Sequence, residues 1–148
     1  MLLSKSFGYA IRGILYISMM QKEGRKVQVE EIAEKLAVPK HFLGKILQEL
    51  VKVGLLKSTK GPYGGFELAS ETLSKSLFDI FKTTDDAEQL THCVLRTNPC
   101  DPVNPCPVHQ NISKIREEFR QLLLNTTVGD LAQGETELTL ERIATNRL

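Results

Sequence analysis

A chain of 148 residues with 41% hydrophobic residues and a net charge of +1 fits one globular domain, or one small domain with an oligomerisation element. No stretch is apolar for long enough to span a membrane, so a membrane protein is not expected. The charge becomes informative when the chain is divided after residue 69: residues 1–69 carry eleven Lys and Arg against six Asp and Glu, residues 70–148 eight against twelve. A basic first half is the electrostatic footprint of a nucleic-acid face, and an acidic remainder is repelled from phosphate and left for other contacts.

Residues 5–20 read as a core helix, with Phe7, Ala10, Ile11, Ile14, Leu15 and Ser18 on one side. The first twenty residues are apolar-rich, but Arg12 interrupts them and no small-residue cleavage pattern follows. A helix of the fold is therefore expected there and not a signal peptide, which places the chain in the cytoplasm. Lys5 and Arg12 on the outer face of this helix are candidate phosphate contacts, although lone basic residues on a surface helix are more often simply solvated. The polar residues 21–26 end the helix.

In Val29-Glu30-Glu31-Ile32-Ala33-Glu34-Lys35-Leu36 the apolar residues fall at i, i+3, i+4 and i+7, so one helical face is buried and the other charged. A turn at Ala37-Val38 follows, and Pro39 suits a helix start because it lacks an N–H that no helix would pair. The second helix, to residue 53, carries an apolar stripe of Phe42, Leu43, Ile46, Leu47 and Leu50, which turns Lys40, His41, Lys45, Gln48 and Lys52 outward. Gly54 suits a left-handed cap. Residues 55–59 and 66–69 then read as two strands around Lys60-Gly61-Pro62-Tyr63-Gly64-Gly65. The pattern is a winged helix-turn-helix, mainly α with a small β-hairpin wing. Lys40, His41, Lys45 and Gln48 are expected to face the major groove, with Lys57, Lys60 and the Gly64-Gly65 backbone along phosphate.

Beyond the wing, Leu73, Leu77, Ile80 and Phe81 recur at helical spacing and predict a short helix over 74–82, ended by residues 83–88. Residues 90–109 differ in kind: they hold all three cysteines, and the Pro-dense half excludes a regular helix or a central strand. A stiff loop held by something other than a backbone ladder is expected. Val108, Ile112, Ile115, Phe119 and Leu122 are then spaced by four, three, four and three, a heptad seam that predicts a long helix pairing with its copy in a second subunit. The competing reading is a helix packed within its own monomer. Thr127-Val128-Gly129-Asp130 predicts a capping box for a last short turn, and the polar tail is expected to be mobile. The organisation is a DNA-binding domain over 1–83, a cysteine loop over 84–109, a dimerisation helix over 110–126, and a short helix and tail over 127–148.

The cysteine spacing is C-x6-C-x5-C, with His109 three residues after Cys106. It lacks the paired C-x2-C knuckles of a zinc ribbon. Thiolates in an irregular loop are iron–sulfur ligands, with His109, then His92 and Asp101, or a group of the partner subunit as the fourth. Spacing leaves two other readings open: incidental cysteines, and a metal-free thiol switch. No nucleophile–base pair and no phosphate-cradling glycine loop with a lysine is present, so an enzyme is not expected. A small iron–sulfur electron carrier or enzyme subunit is the remote alternative.

Over nearly its full length the chain resembles the Rrf-two-type bacterial winged-helix transcription regulators of the IscR/NsrR-like kind. The resemblance lies in Tyr9-Ala10-Ile11-Arg12, Glu31-Ile32-Ala33, Phe42-Leu43-Gly44-Lys45-Ile46-Leu47, the wing Lys60-Gly61-Pro62-Tyr63-Gly64-Gly65-Phe66, and a three-cysteine loop before a long helix. It implies a homodimer on a palindromic promoter site in double-stranded DNA, with an iron–sulfur centre held by Cys93, Cys100 and Cys106. His109 matches the histidine of IscR-like members, which favours a two-iron, two-sulfur centre while leaving a four-iron, four-sulfur centre open. The chain departs from its relatives at Pro39-Lys40-His41, at Lys60 in place of a common arginine, and in having no carboxylate at residues 4–8.

Overall fold

Helix α1 (Lys5–Lys22) runs through the middle of the molecule and has no charged residue between Arg12 and Lys22, so its second half is buried on nearly every side. Ser4 caps it by accepting the Phe7 N–H at 3.2 Å. Gly13 lets α3 approach closely, since a Cβ there would lie 3.3 Å from a Leu47 methyl. The computed structural model describes residues 3–133, so the expected mobile tail falls almost wholly outside the described residues.

Helix α2 (Val29–Leu36) buries Ile32, Ala33 and Leu36. The left-handed Ala37 then turns the chain into α3 (Lys40–Lys52), which buries Leu43, Ile46, Leu47 and Leu50. Phe42 does not belong to this stripe: it is 41% exposed and meets the Tyr9 ring edge-on at 5.7 Å. Its position on the helix turns it toward the outer side of α1 instead of the centre.

Gly54, at φ +80°, ends α3. Strands β1 (Leu56–Thr59) and β2 (Gly65–Leu68) pair antiparallel with Leu56 opposite Leu68 and Thr59 opposite Gly65. The hairpin is fixed to the α1–α2 linker, where Val27 and Phe66 exchange N–H···O bonds of 3.2 and 2.7 Å.

The helix expected over 74–82 divides in two. Thr72–Ser74 form a 3₁₀ turn, and α4 (Leu77–Thr84) starts afresh behind a capping box of Ser76 and Asp79. Leu73 accordingly leaves the buried stripe and is exposed. A second 3₁₀ turn, Ala87–Leu90, leads into the cysteine loop, followed by α5 (His109–Asn125) and α6 (Val128–Gln133). The box expected before α6 is present: Asp130 accepts from the Thr127 N–H at 2.8 Å and donates its own N–H to Thr127 Oγ1 at 3.0 Å. Phe81 lies at the junction of the elements, with Phe7, Phe78 and Phe119 ring centroids 6.1, 6.1 and 6.4 Å away.

The start of α2 is tied to α1 by a polar cluster. Glu31 accepts from the Tyr16 hydroxyl at 2.7 Å and from both Arg25 terminal nitrogens at 2.9 and 2.5 Å. The Arg25 bonds, and after them the Tyr16 bond, hold the Glu31 carboxyl down at about 2, while burial and then Glu31 push Tyr16 up to about 12. A depressed carboxyl stabilises the fold above its ordinary value of 4.5, and that contribution is lost as pH falls toward about 2. Glu31→Gln is therefore expected to lower stability at pH 7 and to flatten its fall between pH 4.5 and 2, as read by urea unfolding at fixed pH values.

Candidate nucleic-acid interface and cysteine site

One face of the molecule combines the outer side of α3 with the wing. His41, Lys45 and Gln48 are exposed and, with Glu49 and Lys52, line a groove floored by Val29, Gly44 and Phe66. Lys40 is exposed too, but its ammonium pairs with Glu30 at 2.6 Å. That hydrogen bond is the main reason the Glu30 carboxyl lies below its usual range. Surface pairs of this kind contribute only about 0–1 kcal/mol, so phosphate can displace Glu30 from Lys40.

On the wing, Lys57 and Lys60 are exposed and form no ion pair among the described residues. Lys26 is spoken for by Thr59 and Glu67. Gly64 and Gly65 do not follow the expectation of a backbone lying along phosphate: both are buried. A Cβ on Gly64 would overlap the Thr59 carbonyl, and Gly65, at φ +135°, backs onto Val27. The Gln28 amide donates to the Gly61 and Gly64 carbonyls at 3.3 and 3.0 Å, bracing the tip from below.

The side chain most available at that tip is Tyr63, 96% exposed. Sequence reasoning passed over it, although an aromatic residue between Pro62 and Gly64 has no neighbour to pack on. Lys5 is exposed at the start of α1, and Arg12 lies over the Tyr9 ring at 5.0 Å, half-buried in the cluster with Phe42.

The cysteine loop is more ordered than expected. Cys93 donates its N–H to Asn98 O at 3.1 Å and Cys100 to Thr91 O at 2.9 Å, around a bridge between His92 and Pro99. A short backbone ladder thus does hold part of the loop, contrary to the sequence expectation, because the chain doubles back over residues 93–98 and brings Pro99 and Cys100, at the start of the Pro-dense half, beside Thr91 and His92. Arg96 reaches the Asn104 carbonyl at 3.1 Å, and Asp101 accepts the Val103 N–H.

Cys93, Cys100 and Cys106 are half-buried free thiols. The Cys93 thiol is held below its usual value, first by the Leu95 N–H, then by that of Arg96 and by the Cys106 and Cys100 thiols. Arg116 of α5 donates to Cys100 Sγ at 3.5 Å. The donors on Cys93 favour its thiolate, the form that iron binds, and three thiols in one loop are by their chemistry a donor set that fits an iron–sulfur centre. Among the described residues no group of three or more His, Cys, Asp or Glu side chains stands close enough together to hold a single metal ion. His109 opens α5 with its ring 3.5 Å from Ser113 Oγ.

A helix-turn-helix with an adjoining basic hairpin defines the class: a DNA-binding transcription regulator of winged-helix architecture. The chain belongs to the Rrf2 family, described as iron-dependent transcriptional regulators, whose profile matches residues 3–134. It is 35% identical over 137 residues to a protein of Aquifex aeolicus assigned as an HTH-type transcriptional regulator, covering 91% of this chain and 94% of that one. To the HTH-type transcriptional regulator NsrR of Shouchella clausii it is 30% identical over 131 residues, 88% and 87% of the two chains. The structure of CymR, the global cysteine regulator of B. subtilis, superposes with a TM-score of 0.71 at 23% identity, covering 90% of this chain and 98% of that one.

The hydrogen bonds on the Cys93 sulfur generate a prediction for the reduced, metal-free chain. The pH profile of Cys93 alkylation by iodoacetamide, followed by peptide mass spectrometry, is expected to have its midpoint below that of an unperturbed thiol. A midpoint at or above the ordinary value would remove the N–H donors from the argument.

Proposed function

We propose that the protein is a homodimeric, sequence-specific regulator in which Cys93, Cys100 and Cys106 hold an iron–sulfur centre that reports iron–sulfur status, redox state or nitric oxide to the winged helix. The observation that carries this reading is the gathering of three half-buried free thiols, Cys93, Cys100 and Cys106, in one loop that its own backbone bonds at Cys93 and Cys100 hold together. The iron-dependent description of the family points the same way. His109 is the fourth ligand in this reading. The centre supplies reversible electron uptake and ligand exchange. The chain's own residues hold the loop at both ends: Asp85 accepts the Ser4 N–H and hydroxyl at 3.0 and 2.9 Å, and Arg116 holds Cys100 from α5.

Dimerisation is supported by α5, where only Leu123 is fully buried while Ile115 and Leu122 are 52% and 60% exposed. Val108 is exposed and Ile112 half-buried on the same seam, which a second copy of the helix would cover. Phe119, placed on that seam by spacing, instead meets Phe81 of its own chain. A dimer sets two recognition helices roughly one DNA turn, ~34 Å, apart, which suits a palindromic promoter site.

A second reading, a metal-free thiol regulator of the same fold, draws on the same Cys93 environment, since a depressed thiol beside two others is suited to disulfide exchange. Anaerobic purification with iron and sulfide analysis separates the two. Visible charge-transfer absorption that disappears in Cys100→Ala is expected, and a colourless anaerobic protein would favour the thiol reading. On a duplex selected from a random pool, Lys60→Ala is expected to weaken binding and reduce the salt slope by about one unit; an unchanged slope would take Lys60 off the DNA. Leu122→Glu is expected to shift the protein toward monomer in solution sizing.

A further inference from the structure

We propose that Arg116 is a positioning residue of the cysteine site: its guanidinium fixes the Cys100 sulfur against α5 and raises the reduction potential of the iron–sulfur centre held there. The inference rests on the reading of the loop as an iron–sulfur site and deepens it.

Three basic side chains of α5 lie close together in sequence, and two of them face carboxylates. Lys114 lies 3.9 Å from Glu118 and Arg120 3.6 Å from Glu117. Arg116 has no carboxylate within ion-pair distance among the described residues, and its Nη1 donates to Cys100 Sγ at 3.5 Å. The opposite side of Cys100 is held by its own N–H on the Thr91 carbonyl at 2.9 Å. The sulfur is thus located from the loop and from the helix together.

Arg116 and Cys100 line the same open cavity of about 510 Å³, together with Phe78, Leu90, Pro99, Glu117 and Arg120. Of its two guanidinium groups, only that of Arg116 donates to the sulfur, while Arg120 faces Glu117. An electron added to the centre increases negative charge on its sulfurs, so an N–H donor and a cation at one of them stabilise the reduced form more than the oxidised one. Because the donor is on α5, a change of charge at Cys100 also changes the pull on the helix that carries Phe119 to Phe81.

The test is an equilibrium titration with dithionite of the full chain, reconstituted anaerobically with ferrous iron and sulfide and followed by visible absorption. Arg116→Gln is expected to have a midpoint more negative than the parent's, Arg116→Lys one in between, and Lys114→Gln, on the same helix but outside the cavity, the parent's value. A midpoint unchanged in Arg116→Gln, or shifted equally by Lys114→Gln, would overturn the proposal. If Arg116→Gln folds by circular dichroism but takes up no iron, Arg116→Lys decides: a midpoint more negative than the parent's upholds the role and the parent's midpoint rejects it. A parent that takes up no iron is seen before any variant is made, and it overturns the iron–sulfur reading together with this inference.

Discussion

The packing of Phe81 against Phe7 and Phe119 joins three parts of the chain. Phe7 belongs to the central helix of the DNA-binding unit, Phe81 to the helix that precedes the cysteine loop, and Phe119 to the helix that follows it. Edge-to-face aromatic pairs have a preferred angle as well as an attraction, so they fix orientation and not merely proximity. The Ser4–Asp85 bonds make a second connection beside this one, tying the end of α4 to the cap of α1. The loop is therefore suspended between α4, which packs on α1, and α5, which packs on α4. From the loop, packing runs through Phe81 to Phe7 on α1 and from Gly13 of α1 to Leu47 of α3.

The DNA-facing surface is restrained by the same economy of contacts. Several cations of the basic half are already engaged: Arg25 with Glu31, Lys26 with Glu67, Lys40 with Glu30. Lys45, Lys57 and Lys60 stay exposed and form no ion pair among the described residues, and they lie on α3 and the wing. The rigidity of the wing comes from beneath, through Val27 and Gln28, and so its tip can present Lys60 and Tyr63 without packing them. A braced hairpin pays less ordering entropy on docking than a loose one.

Much of this was legible from local pattern because the governing forces are local. Apolar periodicity located α2 and α3, glycine chemistry located the turn at Gly54 and the hairpin, and the Thr127–Asp130 box foretold α6. What sequence misassigned depends on tertiary placement. Phe42 sits at a core spacing but meets Tyr9 at the surface, Leu73 loses its stripe to the Ser76 cap, and the wing glycines face inward because Val27 pairs with Phe66. The Lys40–Glu30 pair and the Arg116–Cys100 contact join residues ten and sixteen positions apart across turns and loops, where no periodicity links them. The three cysteines were conspicuous from spacing; the N–H donors that adjust their chemistry were not.

The stripe that spacing assigns to α5 mixes two surfaces of the helix. A strict heptad assigns Phe119 and Leu122 to one stripe, yet Phe119 turns to Phe81 while Leu122 stays in solvent. An α-helix advances 3.6 residues per turn and not 3.5, so a straight helix drifts about 20° per heptad and carries its stripe from one neighbour to the next. Leu123, one position on, is the residue that reaches the core. The helix thus has an inward face near its end and an outward apolar face along its length. Isolated helices of this length are marginal in water without packing on an apolar face. The first turns of α5, beside the cysteine loop, are only half-buried on their inward side, and the Arg116–Cys100 contact and, in the proposed dimer, a helix covering Ile115 would steady them. Loop and seam would then stabilise the same stretch of helix, so that ordering either one favours the other.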